Sequence, residues 1–301
     1  MSLVERAPDE LSARISLGSL LTNQNTRITG ESRFGLHDYV DEIIGSGFPA
    51  IRRLSLHPRT LQIDSYIDRI IDSDFQDQGF TVRRPATLRR WMEAYAAATA
   101  TPSAYEAIRD AATPGINEKP ARTTTQPYRD MLERLWLLDE VPAWIPSRNL
   151  FSRLAQAPKH HLADPALAAR LLGLAADALL QGAEGSRHIV RNGTLLGHLF
   201  ESLVTQSLKT YAQAVDAHVR HLRLHGGRRE VDLIVERPDG RVLAIEVKLA
   251  RTPTDSDVRN LLWLRDQLGD RLVDAAIVTS GPFAYRRDDG VAVIPAALLG
   301  P

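Results

Sequence analysis

The stretch from Arg229 to Ala250, REVDLIVERPDGRVLAIEVKLA, constrains the fold of this chain more than any other. Two apolar, β-branched runs flank Pro238-Asp239-Gly240. Proline sets the φ of a type I turn and glycine takes the left-handed position after it, so the segment predicts a hairpin with a three-residue loop. A hairpin centred on Asp239 places Asp232 directly across from Glu246. Because side chains alternate along a strand, Glu230 and Asp232 share one face with Glu246 and Lys248, while Leu243, Ile245, Val247 and Leu249 point the other way into a core.

Two carboxylates opposed across a strand pair repel each other unless a cation relieves them. A hard divalent ion does so, and oxygen ligands favour magnesium or manganese, with the Val247 carbonyl as a further candidate ligand. Such an ion polarises a phosphoryl oxygen and activates water, and Lys248, one step along the same face, can orient that water or stabilise developing charge. The alternative is a salt-bridged surface hairpin. Against it stands the apolar character of EVDLIVE and VLAIEVKL, which suits interior strands where uncompensated charge is expensive.

The flanking sequence supplies the rest of an α/β unit. GTLLGHLFESLVTQSLKTYA (Gly193 to Ala212) predicts a helix buried through Leu196, Leu199, Phe200, Leu203, Val204 and Leu208, with Glu201 near the edge of that face. A strand from His218 to Leu224, a turn at Gly226-Gly227, the hairpin, a helix from Thr254 to Leu268 and a strand from Ala275 to Thr279 follow. The expected order is therefore α-β-β-β-α-β.

Upstream, 36 to 44 and 60 to 72 read as helices separated by a breaker from Gly45 to Pro49, with Asp64, Asp68 and Asp72 forming a solvated acidic face. Residues 87 to 100, a short helix capped by Ser103 and ending at Ala112, and a helix from about Thr124 to Leu138 give a three-helix pattern resembling a winged helix-turn-helix. The third helix carries Arg122, Arg129 and Arg134 as candidate DNA contacts, with Lys119 nearby, although the linker before it exceeds the usual tight turn. Asp164 caps a helix from Pro165 to Leu180, and 182 to 193 reads as a loop at a module boundary.

Two other patterns carry less. LWLLDE (Leu135 to Glu140) looks like an ATPase metal strand, but the chain has no Gly-Lys dipeptide and so no phosphate loop; ATP hydrolysis is not expected, and a helix end explains these residues better. His218, His221 and His225 lie on or beside a strand, where structural histidines far outnumber zinc ligands. With no cysteine, the chain has neither disulfides nor thiolate sites and fits the cytoplasm. It shows no signal peptide or membrane span. Its net charge is zero, with an acidic first 80 residues and a basic 81 to 135 segment that fits either a phosphate-facing surface or ordinary surface variation.

In order along the chain, SGFPAIRRL (from Ser46), SYIDRIIDSDF (from Ser65), RLWLLDEVPAW (from Arg134), APKHHLADPALAARLLG (from Ala157), GHLFESLV (from Gly197) and the hairpin resemble the C-terminal portion of an uncharacterised prokaryotic family of AAA+ type ATPases. That family carries a P-loop module, a winged-helix segment and a PD-(D/E)xK nuclease-like domain. The resemblance implies three segments: 1–80 as a helical remnant of the ATPase lid, 81–185 as a winged-helix-like domain, and 186–301 as a restriction-endonuclease-like domain. It makes Glu201 the helix acid, Asp232 the first-strand acid, and Glu246 with Lys248 the ExK pair. The P-loop module that precedes this region in the family is missing here, so its ATPase activity does not carry over. The implied function is magnesium- or manganese-dependent DNA processing. The alternative is a non-catalytic module that binds nucleic acid, a protein partner or the missing ATPase module.

Overall fold

The Pro-Asp-Gly loop closes as its residues require. In the computed structural model the Gly240 amide donates to the Arg237 carbonyl at 2.9 Å, Gly240 has φ +82°, and the Arg237 amide donates to the Arg241 carbonyl at 2.9 Å. The register follows from that turn: Leu233 pairs with Ile245, Ile234 with Ala244, Val235 with Leu243 and Glu236 with Val242. The structure describes residues 1–6, 15–22, 26–113, 119–146, 156–183, 192–224 and 228–301. They divide into two units, one of Met1–Tyr39, Val141–Pro158 and Leu203–Pro301, the other of Val40–Glu140 and Lys159–Ser202. This spatial division interleaves along the chain, unlike the linear segments expected from sequence.

The first unit is built on strands β1 (Ile15–Ser16), β2 (Gly30–Glu31), β3 (His218–Arg223), β4 (Glu230–Glu236), β5 (Val242–Lys248), β6 (Leu272–Thr279), β7 (Phe283–Arg286), β8 (Ala292–Pro295) and β9 (Leu299–Gly300). Seven of them form one mixed sheet in the order β2-β7-β8-β6-β5-β4-β3, and β1 pairs in parallel with β9. The β3-β4-β5 meander is antiparallel, whereas β5, β6 and β8 run parallel. The parallel β5-β6 step needs a crossover, supplied by the Asp255–Leu268 helix with its Thr254–Asp257 capping box. Its Val258, Leu261 and Leu264 pack with Ile234, Val242, Ala244 and Ile277 in one core cluster. Residues of opposite parity, Leu233, Val235, Leu243 and Ile245, are also buried, so β4 and β5 are interior strands covered on both faces.

Beyond β5 the backbone closes tightly on β6. A Cβ at Gly281 would lie 2.0 Å from the Arg251 carbonyl oxygen, so only glycine fits there. At the other side of the sheet, β3 is flanked by the segment around Ala143, which bridges His221 in parallel. The Trp144 indole donates to Glu236 Oε1 at 2.9 Å.

The second unit is helical: Pro49–Arg52, Leu56–Arg69, Pro85–Ala97, Tyr105–Ala111, Arg122–Arg134, Pro165–Leu171 and Ala176–Ala183. Several expectations change here. The helix expected at 60 to 72 starts at Leu56 and runs into a π-helical turn, Ile70–Asp74. Its acidic face is not simply solvated, because Asp64 takes a bidentate bond from Arg170 at 2.9 and 2.7 Å and Asp68 pairs with Arg89. Ser103 does not cap the short helix; Ala104 holds that position, and the Ser103 hydroxyl bonds Thr101 Oγ1 at 2.8 Å. The helix expected to reach Leu138 ends at Arg134, with Trp136 left-handed at φ +58°. The Pro165 helix breaks at Gly173, whose φ of +68° ends the first piece before Ala176–Ala183 begins. The hairpin of β7 and β8, closed around Asp289-Gly290, was not anticipated; the Arg287 amide donates to the Val291 carbonyl at 3.0 Å.

Asp164 caps as expected and does more. One oxygen accepts from the Ala166 amide at 2.9 Å, and the other from Ser46 Oγ at 2.7 Å and the Gly47 amide at 2.6 Å. Ser46 itself is left-handed, with φ +63°. Asp164→Ala strands three donors in a site where the side chain is 1% exposed, and should lower stability by about 2–4 kcal/mol in urea titrations. A change below about 0.5 kcal/mol would show that the Ser46 turn does not depend on Asp164.

Candidate active site on the central hairpin

The hairpin brings Asp232, Glu246 and Lys248 together. The predicted register holds, and beyond the Leu233–Ile245 pair the Val247 amide donates to Asp232 Oδ2 at 2.9 Å. Lys248 Nζ donates to Glu246 Oε1 at 2.8 Å and stands 4.0 Å from Asp232 Oδ2. Asp232 and Glu246 are only 8% and 7% exposed. The carboxylates share their face with Ile234, Val242 and Ala244, which pack against the Asp255–Leu268 helix.

Burial works against the Lys248 ammonium, but Asp232, Glu246 and Asp257 together outweigh it and hold its pKa above the ordinary lysine range. Asp257 is held below the usual carboxylate range: its burial opposes this, and the Thr254 amide and hydroxyl, Lys248 and Arg287 prevail. The cation expected between the two acids has a counterpart in the chain itself.

Among the described residues no group of three or more His, Asp or Glu side chains is placed to hold a metal ion. Asp232 and Glu246 offer a two-carboxylate oxygen set, whose chemistry suits a hard divalent ion with water completing its shell. Glu201 lies in the other unit. There its Oε1 accepts from Lys159 Nζ at 2.7 Å, in a pair whose lysine is 1% exposed. The run Lys159-His160-His161 is wholly buried; in the sequence it stands only within a resemblance segment, with no role for its side chains.

Residues 36–178 match the Domain of unknown function (DUF8612), and residues 196–299 match the Domain of unknown function (DUF4143). The second match contains the whole hairpin constellation. No curated protein and no solved structure matches the chain.

Of the three helix arginines, Arg122 and Arg129 line a cavity of about 310 Å³ in the helical unit, and Arg134 is exposed outside its lining. Arg129 lies over the Tyr105 ring, 4.0 Å from its centroid, and donates to Glu133 Oε1 at 2.5 Å. Lys119 pairs with Glu106 and Asp110. Among the histidines, His221 is buried, with Nε2 3.0 Å from the Ala157 carbonyl. His218 is exposed, and His225 and the Gly226-Gly227 turn lie outside the described residues.

Lys248→Met removes the cation from two largely buried carboxylates. In chelator it should destabilise the protein by about 2–4 kcal/mol, and millimolar magnesium or manganese should recover part of that loss. Urea titrations of parent and variant, with and without metal, measure this. An equally stable variant would mean that the three groups do not interact.

Proposed function

We propose that this protein is a divalent-metal-dependent, nuclease-like DNA-processing protein whose chemistry resides on Asp232, Glu246 and Lys248. The observation that carries the reading is the placement of these side chains on one covered face of two interior strands, where charge without a task is disfavoured. The α-β-β-β-α-β order around them suits a restriction-endonuclease-like architecture. The DUF4143 match over residues 196–299 supports an association with AAA+ type ATPases, to which a protein or ATPase-module partner would belong.

In this reading Asp232 and Glu246 hold magnesium or manganese, which supplies Lewis acidity toward a phosphoryl oxygen. The chain's own groups do the positioning. The Val247 amide fixes the Asp232 carboxylate, and Lys248, drawn to Glu246, presents an ammonium on the same face to orient water or offset negative charge on a phosphodiester. Among the helix arginines, Arg134 is exposed without an ion pair among the described residues and suits a backbone phosphate contact.

One observation favours the second reading, a non-catalytic binding module. Lys248 already compensates the carboxylates, as it would in a purely structural triad. Labelled duplex, branched junction and single-stranded DNA incubated with magnesium or manganese separate the two. The nuclease reading expects cleavage that falls at least 100-fold in Glu246→Gln, assayed at a temperature where circular dichroism shows the variant folded. Retention without cleavage selects the binding module, and neither cleavage nor retention removes DNA as the substrate.

A further inference from the structure

The helical unit carries a recess that the proposed chemistry on the hairpin does not use. Its walls come from Trp91 on the Pro85–Ala97 helix, Tyr105 and Arg109 on Tyr105–Ala111, and Arg122, Arg129 and Asp130 on Arg122–Arg134. Arg122, Gln126 and Arg129 follow the spacing of one helical face, and all three line the cavity. A volume of about 310 Å³ is that of a small-ligand pocket.

The ion pairs show which charges remain for a ligand. Arg109 is engaged by Glu106, which also pairs with Lys119, and Arg129 is engaged by Glu133. Arg122 and Asp130 form no ion pair among the described residues. They sit eight residues apart on one helix, about 12 Å along its axis. Between them Arg129 is clamped by the Tyr105 ring on one face and Glu133 at its edge, which leaves a rigid planar cation as a stacking surface. The Tyr105 hydroxyl and Arg109 Nε are buried without a hydrogen-bond partner. The cavity thus offers a cation at one end and a carboxylate at the other, neither ion-paired among the described residues, with a planar platform between.

We infer that this cavity binds a nucleoside monophosphate whose base carries an exocyclic amino group. The phosphate meets Arg122, the base stacks on the Arg129 guanidinium, and the amino group donates to Asp130. Adenine and cytosine present such an amino group and hypoxanthine and uracil do not, so the carboxylate gives the pocket a sense of base identity. This site is independent of the hairpin carboxylates and needs neither metal nor cleavage.

Calorimetric titration of the full chain with AMP, CMP, IMP, UMP, adenosine and inorganic phosphate tests it. AMP or CMP should bind, with IMP and UMP at least tenfold weaker, and adenosine and phosphate alone weaker still. Arg122→Ala should weaken AMP or CMP at least tenfold with an unchanged melting temperature, because Arg122 is exposed and makes no ion pair. Asp130→Asn should erase the preference for amino-bearing bases, and Arg53→Ala, exposed and outside the cavity lining, should leave nucleotide affinity unchanged. No binding at millimolar nucleotide, binding indifferent to Arg122→Ala, or equal affinity for AMP and IMP would overturn the assignment. A cleavage-negative protein that still binds AMP in this way would leave it standing.

Discussion

The sheet unit depends on how charge is accommodated inside it. Asp232 and Glu246 sit beside buried Val231, Leu233, Ile245 and Val247 on strands covered on both sides, so each carboxylate must find its stabilisation locally. Asp232 takes a backbone amide from the neighbouring strand, and Glu246 takes the ammonium of Lys248 two residues along. The triad joins the two strands of the hairpin, and its geometry follows from the turn that sets the register.

The helical unit handles its charges differently. Its arginines and acids form mostly half-exposed pairs, as in Asp64 with Arg170 and Asp68 with Arg89, each contributing modestly to stability. Pairs of this kind orient helices more than they hold them. The holding is done by buried aromatic and aliphatic side chains such as Trp91, Tyr95, Leu132 and Leu167. The Glu201–Lys159 pair and Asp164 are buried instead, and Asp164 stabilises a helix start and a left-handed turn at once.

The hairpin was legible because its turn chemistry and strand alternation are local properties of a few residues. Pro238, Asp239 and Gly240 set the register, and the register placed Asp232 across from Glu246 without further information. The helix from Asn192 to Gln213 was legible through its apolar face for the same reason. What escaped reading was set by distant partners. Nothing local marks Lys159 as the buried partner of Glu201, or turns Arg129 onto Tyr105. The broken helix after Leu171 hinged on a single glycine inside an apolar run, where helical period and chain termination make opposite demands. The β7-β8 hairpin was missed although Asp289-Gly290 carries the same turn signal as Asp239-Gly240.

The interleaving of the sheet unit along the chain bears on how it can be made. Ile15 pairs with Leu299, and Gly30 with Ala284, so the earliest strands acquire their neighbours only after residues 283 to 300 have been synthesised. A helical unit whose chain segments are complete by Ser202 can close on the ribosome, whereas the sheet unit must wait with its first 39 residues unassembled. Pairings over such sequence separations slow folding through loop-closure entropy. Leu17, Leu20 and Leu21, buried in the finished unit, stay uncovered until those last strands arrive.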